Sequence, residues 1–492
     1  MDAPINEDIL WEAAEKLRNK CSPADYPNIV LGLVFLKYVS DKYQKKYEEL
    51  KANNDGSEKD KNCYIADHVF TVPEKAQWDY VASFSKQANL GQKIEEAFIL
   101  IEKENEKLKG LLPKIYSKSD LDLTTLGELV DFFTTQLNLK DVKGDFFGQV
   151  YEFYIGKFAL EVPTKGGEYF TPKSLVELMV ELLEPKKGRV YDPCCGSGGM
   201  FVQCSKFIQE FKGNIDSISI YGQEINPETW RMAKMNLAIH GIEGDLGQTY
   251  ADSFTNDQHK NLKADFIIAN PPYNVKKYWK STLEGDERWV FGKPSDNNAN
   301  YAWLSLMYSK LNNSGKAAIL MPNGATTSNQ KSDYEIRKKM IESGKVSAIL
   351  ALPDKLFANV SISVQCWVLD KGKNNSNILF INANQLGTLI SRKIRVLKQD
   401  DLDKIIMVYK DFKAGNEIKQ PGFAKTAALE EIKSNDYSLN PGRYVGADES
   451  DKMSQEEIQE ELRKTTAELL ELMKEGKELE DKVKEILEKE LR

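Results

Sequence analysis

Residues 189–211, RVYDPCCGSGGMFVQCSKFIQEF, decide the fold. RVYD (189–192) reads as a strand, Pro193 to Gly199 as a tight turn, and MFVQCSKFIQEF (200–211) as an amphipathic helix. The same texture continues downstream. Further candidate strands are SISIYGQE (217–224), DFIIAN (265–270), AAILMPNG (317–324), VSAILALP (346–353) and SVQCWVLD (363–370). Helical patterns such as SLVELMVELLE and PETWRMAKMNLAIHG lie between or before them. This alternation predicts an α/β fold with a doubly wound sheet. Ligands of such sheets bind outside the carboxyl ends of the strands, where the motifs below fall.

The turn itself, Asp192-Pro193-Cys194-Cys195-Gly196-Ser197-Gly198-Gly199, is rich in glycine. Glycine lets the backbone take positive φ and approach a ligand without a Cβ clash. The amides at the following helix start favour an anionic group. The next strand ends in Gly222-Gln223-Glu224, about twenty residues on, where an acidic residue accepts bonds from ribose hydroxyls. Ala251-Asp252-Ser253-Phe254 follows, with a carboxylate and an aromatic suited to an adenine ring. The bland alternative is that Glu224 caps a helix and Asp252 caps a turn. A phosphate-binding loop would show G-x-G-x-x-G, whereas this one has C-G-S-G-G. A ligand with ribose and adenine but no phosphate therefore fits better.

Ala264-Asp265-Phe266-Ile267-Ile268-Ala269-Asn270-Pro271-Pro272-Tyr273 is the most informative segment. An apolar strand ends at Asn270, two prolines stiffen the turn, and an aromatic follows. An exocyclic amino group is a poor nucleophile because its lone pair is delocalised into the ring. The Asn270 side-chain oxygen and the Pro271 carbonyl can accept its N–H bonds and favour a pyramidal nitrogen. Both contacts strengthen as positive charge develops, which is the condition for catalysis. Tyr273 can stack on an extruded base. Phe357, after the Leu352-Pro353 pair, is a candidate second wall, with a core position as the alternative.

Outward from this domain the texture changes. Residues 1–145 read as helical: Trp11, Ala14 and Leu17 recur at helical spacing, and the apolar stretch Ile29 to Val39 exceeds a simple strand. A polar break, NNDGSEKDKN (53–62), reads as a loop. Residues 146–445 hold the α/β pattern. From 446 to 492 the chain is mostly charged, and Leu469, Leu472, Leu479, Val483 and Ile486 form a short coiled-coil-like seam with Gly476 in one position. That tail either folds back on its own domain or docks a partner.

The 492 residues carry 67 basic and 75 acidic side chains, a net charge of −8. A protein gripping nucleic acid alone by charge is usually basic, so a local basic surface or a partner is expected. Lys276, Lys277, Lys280, Arg392, Lys393 and Arg395 are candidate phosphate contacts, with a solvated surface as the plainer reading. No run of about 20 apolar residues is present, so no membrane span is expected. The first residues, MDAPINEDILWEAAEK, lack the basic and apolar regions of a signal peptide. Six cysteines and three histidines show neither a disulfide framework nor metal-ligand spacing. Reduced thiols in a cytoplasm and no metal are the expectation. Neither zinc nor helix-turn-helix signatures appear, which points to sequence reading by another polypeptide.

Asn270-Pro271-Pro272-Tyr273 resembles the catalytic tetrapeptide of amino-group methyltransferases, and the loop 192–199 their S-adenosylmethionine motif. The loop precedes the catalytic motif, as in the gamma group. Gly167-Glu168-Tyr169-Phe170-Thr171-Pro172 resembles the segment that helps bind the methionine part in that group. With LPDKLFANVSISVQCWVLDK (352–371) and NDYSLNPGRYV (435–445), the set is similar to the modification (M) subunit of type I restriction–modification systems. The resemblance runs from about residue 7 to 445. It implies a Rossmann-like methyltransferase domain and methyl transfer from S-adenosylmethionine to N6 of adenine in DNA. It implies that Glu168, Tyr169, Phe170, Thr171, Asp192, Cys194, Gly196, Ser197, Gly198, Gly199, Glu224, Ile225, Asp252 and Ser253 bind that cofactor. It also implies a specificity (S) subunit, a restriction (R) subunit, and two M copies per S subunit, in a prokaryotic cytoplasm. The family often has Phe where Tyr273 stands; both stack. Pro193-Cys194 superficially matches the Pro-Cys nucleophile of cytosine-C5 methyltransferases, but lies in the cofactor loop. A protein-glutamine or RNA amino methyltransferase is the alternative acceptor reading. A non-catalytic assembly subunit is the third, opposed by the intact motifs.

Overall fold

The computed structural model describes residues 7–17, 20–21, 25–118, 121–137, 150–154, 156–157, 171–210, 217–357, 363–392, 394–446 and 455–490. Helices come first: α1 (Glu7–Glu15), α2 (Tyr26–Ala52), α3 (Lys61–Ala66), α4 (Trp78–Ala82), α5 (Leu90–Glu104) and α6 (Leu123–Gln136). Helix α2 explains the long apolar stretch, because Ile29 to Lys37 are all buried. Proline in its first turn loses no internal hydrogen bond there. The polar break at 53–62 is more structured than a loop. Gly56 takes φ +80° and starts a 3₁₀ turn at Ser57–Lys59. The Asp60 side chain then accepts from the Asn62 amide and caps α3.

The α/β part begins with α7 (Lys173–Leu183), β1 (Gly188–Asp192), α8 (Gly199–Glu210), β2 (Ile218–Gly222), α9 (Pro227–Ile239), β3 (Gly244–Asp245) and β4 (Ala264–Ala269). It continues with α10 (Asn300–Lys310), β5 (Leu311–Pro322), α11 (Lys331–Glu342), β6 (Val346–Ala351), β7 (Val364–Asp370) and β8 (Ile378–Asn382). A hairpin of β9 (Thr388–Leu389) and β10 (Arg395–Val396) precedes α12 (Gln399–Lys413), β11 (Lys419–Gln420), β12 (Ala424–Ala427) and α13 (Leu429–Ser434). Among the described residues, ten strands form one sheet in the order β11-β12-β8-β6-β7-β5-β4-β1-β2-β3. β1 pairs in parallel with both β2 and β4. β7 runs antiparallel between β5 and β6. The chain therefore winds outward from β1 through β2 and β3, then returns to β4 on its other side. The crevice at that reversal is where a doubly wound sheet binds its ligand.

Every residue of β6 and β7 is buried, as expected of strands covered on both faces. One apolar cluster holds α7, α8 and α12 against one side of the sheet, with Phe201, Leu350 and Ile405 fully buried. A second, with Trp303, Ile319 and Trp367, fills the other side. A third joins the amino-terminal helices, and Met235 and Ile239 of α9 belong to it. The Tyr38 hydroxyl donates to the Ile239 carbonyl at 3.2 Å across that seam. Helix α14 (Gln455–Glu490) stands apart in character. Leu469, Leu472 and Leu479 are each more than half exposed, and so are Leu462, Leu470 and Met473. Among the described residues no helix is long and apolar enough to cross a membrane.

Candidate active site

β1 delivers Asp192 to the crevice, and the glycine loop turns over it. The Cys194 amide donates to Asp192 Oδ1 at 2.9 Å, and its thiol donates to the same oxygen at 3.4 Å. Main-chain bonds tie the loop to the next strand end: Cys195 N to Gln223 O and Gln223 N to Asp192 O, both 3.0 Å. Gly196 (φ +53°) and Gly198 (φ +78°) occupy the left-handed region, which explains the residue type. A Cβ at Gly196 or Gly199 would meet nothing within 4 Å, so both face open space. Side chains there would fill the cradle that the loop leaves.

Glu224, 7% exposed, lies just beyond β2. Its Oε2 accepts from the Gly196 amide at 3.0 Å and its Oε1 from the Asn226 amide at 2.8 Å. The helix cap is Asn226, whose side chain accepts from the Glu228 and Thr229 amides. The expectation that Glu224 either binds ligand or caps a helix thus acquires a third part: it clamps the loop. Each carboxylate oxygen can accept more than one bond, so the clamp does not exhaust it. Ile225 is 60% exposed beside it. Asp252 Oδ1 accepts from the Phe254 amide and Oδ2 from the Thr255 hydroxyl, both at 2.9 Å, so it closes a turn. The Ser253 hydroxyl donates to the Pro193 carbonyl at 2.5 Å. Phe254 is not an adenine wall: it is buried against Trp303, with ring centroids 4.3 Å apart.

Burial pushes the Asp192 carboxyl up to about 7, against the pull of the Cys194 amide and thiol; Glu224 adds to the push. Burial, with Asp192 and Glu224 nearby, holds the Cys194 thiol well above its usual value. A thiol that donates to Asp192 and has its pKa raised within the glycine loop does not support the Pro-Cys reading.

β4 delivers Asn270 to the same edge, one strand from the glycine loop. The Asn270 Nδ2 donates to the Thr171 hydroxyl oxygen at 2.9 Å, a link across 99 positions. The Tyr273 hydroxyl donates to Asn270 Oδ1. Pro271 is buried and Pro272 half-buried. Tyr273 packs on the apolar cluster that contains Phe357. Phe357 itself is 4% exposed and belongs to that cluster. Glu168, Tyr169 and Phe170 lie outside the described residues, as does Lys393. Lys276, Lys277, Lys280 and Arg392 are exposed, whereas Arg395 lies 3.6 Å from Asp354.

Sequence reading missed the props behind the site. Arg288 donates to the carbonyls of Ser253 (2.8 Å) and Phe254 (2.5 Å) and pairs with Asp286. Lys310, buried, pairs with Asp257 at 2.5 Å and donates to the His259 carbonyl. The His259 ring lies 2.8 Å from the Gly222 carbonyl. Together they fix residues 251–259 against the end of β2. No local motif announces such a network.

Residues 142–453 match the family model described as N-6 DNA Methylase, and residues 6–133 the HsdM N-terminal domain. The type I restriction enzyme HindI methylase subunit of Haemophilus influenzae is 40% identical over 85% of this chain and 99% of its own. The MjaIX methylase subunit of Methanocaldococcus jannaschii is 36% identical over 99% of this chain and 91% of its own. The crystal structure of a type I restriction–modification methyltransferase subunit from Streptococcus thermophilus superposes with a TM-score of 0.76. It is 26% identical and covers 89% of this chain and 98% of that one. With a glycine loop and an Asn-Pro-Pro-Tyr turn meeting at one crevice, and matches spanning nearly whole chains, the protein belongs to the type I restriction enzyme methylase subunits and is an adenine-specific DNA methyltransferase.

Proposed function

We propose that the chain transfers a methyl group from S-adenosylmethionine to N6 of an adenine flipped out of duplex DNA, at a sequence chosen by a separate specificity subunit. One observation carries the reading. Asn270, at the end of β4, and the glycine loop, at the end of β1, flank the reversal point of the sheet. The cradle suits this cofactor: Gly196 and Gly199 leave room, Glu224 offers carboxylate oxygens toward ribose, and Ile225 offers an apolar face beside it. When bound, the cofactor supplies an electrophilic methyl carbon on a sulfonium. Asp192, Cys194, Ser197, Gly198, Asp252 and Ser253 shape the walls. Glu168, Tyr169 and Phe170 belong to the methionine end, as the family resemblance implies.

Asn270 Oδ1 and the Pro271 carbonyl accept the two N6–H bonds and turn the lone pair outward. With the cofactor held in the cradle, the methyl group would be supplied to N6, and the amino group aimed by Asn270 and Pro271 would shed one proton to solvent. Pro272 stiffens the turn, and Tyr273 stacks on the base, with Phe357 supporting it from the core. The chain divides as helical 1–145, catalytic 146–445 and tail 446–492. The exposed leucines of α14 support a docking role for that tail toward the specificity subunit. Two copies per specificity subunit, with a restriction subunit for cleavage, complete the assembly in a prokaryotic cytoplasm. The decisive experiment follows radiolabelled methyl transfer to duplex DNA, RNA and polypeptide, by the chain alone and with its co-purifying partners. DNA labelling only with partners is expected. Strong site-specific labelling by the chain alone would remove the delegated reader, and labelling of RNA or protein instead would replace the substrate.

A further inference from the structure

The Asn270 amide is held at both ends by side chains. Its Nδ2 donates to the Thr171 hydroxyl oxygen at 2.9 Å, and its Oδ1 accepts from the Tyr273 hydroxyl. The first contact joins the segment before α7 to the end of β4, so tertiary packing and not local sequence sets the amide's orientation. Orientation matters here, because a flipped amide would present N–H groups to an amino group that itself donates. A donor bound to Thr171 also polarises the amide and makes its oxygen a better acceptor. The second contact places a hydroxyl on the oxygen that the substrate amine needs. A phenylalanine at 273 would stack as well and could not make it.

We propose that Thr171 is a positioning residue for Asn270, and that the Tyr273 hydroxyl is a removable plug on the Asn270 oxygen. Arrival of the base breaks the Tyr273–Asn270 bond, the N6 amino group takes the vacated acceptor, and the freed ring stacks on the base. Thr171 keeps its bond throughout, so the oxygen stays aimed while its partner changes. The proposal rests on the adenine-N6 reading given above. It differs from the expectation that Thr171 serves the methionine end of the cofactor, and it gives Tyr273 a task that stacking alone does not require.

The test uses the assembled methyltransferase with its co-purifying chains, tritiated S-adenosylmethionine and a long unmethylated duplex DNA. Thr171→Val should lower kcat about tenfold at saturating cofactor and DNA, the size expected for loosening one transition-state contact. Affinity for S-adenosylhomocysteine, read by calorimetry, should stay the same, and Thr171→Ser should restore kcat. Tyr273→Phe should lower KM for DNA about fivefold, since one hydrogen bond no longer competes with the base. Weakened cofactor binding by Thr171→Val with kcat intact would overturn the positioning role. An unchanged or raised KM in Tyr273→Phe would overturn the plug. If Thr171→Val does not assemble, Thr171→Ser against Thr171→Ala decides the first point. Absence of DNA methylation by the wild-type complex, or full activity in Asn270→Ala, would instead sink the adenine-N6 reading itself.

Discussion

The glycine loop and the catalytic turn sit on neighbouring strands, yet they are built by different means. The loop is held at its main-chain groups: Cys195 N to Gln223 O and Gln223 N to Asp192 O, with the Gly196 and Asn226 amides donating to the Glu224 carboxylate. Its shape is set before any ligand arrives. The turn at Asn270 depends on two hydroxyl groups, one of them from a residue 99 positions away. Ties that end on the main chain give a fixed cradle, whereas a side chain held only by hydroxyl groups can exchange its partners. A site that must hold a small cofactor and admit a base from a duplex needs both kinds.

That contrast can be broken most severely at Asn270. Replacement by alanine should reduce methyl transfer about a thousandfold or more, while calorimetry with S-adenosylmethionine still gives near wild-type affinity. Loss of both together would mean that the two halves are one unit. Glu224→Ala attacks the cradle. It strips two part-buried amides of their partner and removes the carboxylate, so cofactor affinity should fall about a hundredfold. An unchanged dissociation constant would reduce Glu224 to scaffolding.

Asp192 sharpens the comparison through pH. Its folded value of about 7 lies above the ordinary 3.8, so the folded state holds the proton more tightly. The stabilisation is full below the unfolded value and is lost as pH rises through about 7. Wild type should therefore lose about 2 to 3 kcal/mol relative to Asp192→Asn between pH 5 and pH 8. Parallel denaturant curves at both pH values would refute it. The smallest effect belongs to Cys194→Ala. Its amide, which makes the shorter bond to Asp192, remains and only the 3.4 Å thiol bond is lost, so activity should stay within about threefold. Abolished transfer would revive the thiol as a reacting group.

The sequence was legible where chemistry is local. The strand, turn and helix around Asp192, the strand ending at Asn270 and the helix after Glu224 all follow from periodicity and turn residues. The helix Asn300–Lys310 was not legible. Ten of its eleven residues are buried, so no polar face marks a period before the run passes into β5. β8 was missed although KNNSN bounds it on one side, because ILFI is apolar throughout and shows no alternation to separate strand from helix. The Arg288 and Lys310 props and the Thr171–Asn270 bond are long-range pairings, which a single sequence does not encode in spacing. Phe254 misled because a buried aromatic and a stacking aromatic look alike in one dimension.

Helix α9 has two loyalties. Ala233 faces Gly198, and Asn236 donates to the Ser197 carbonyl at 2.9 Å, so one side supports the glycine loop. Met235 and Ile239 lie in the core of the amino-terminal helices. The two parts of the chain are therefore welded through a shared beam. A fragment starting near residue 146 would bare those two side chains and unsupport the loop at a stroke. Attempts to express the catalytic half by itself should give insoluble material, and grafting a foreign amino-terminal region should succeed only where it supplies a matching apolar seat.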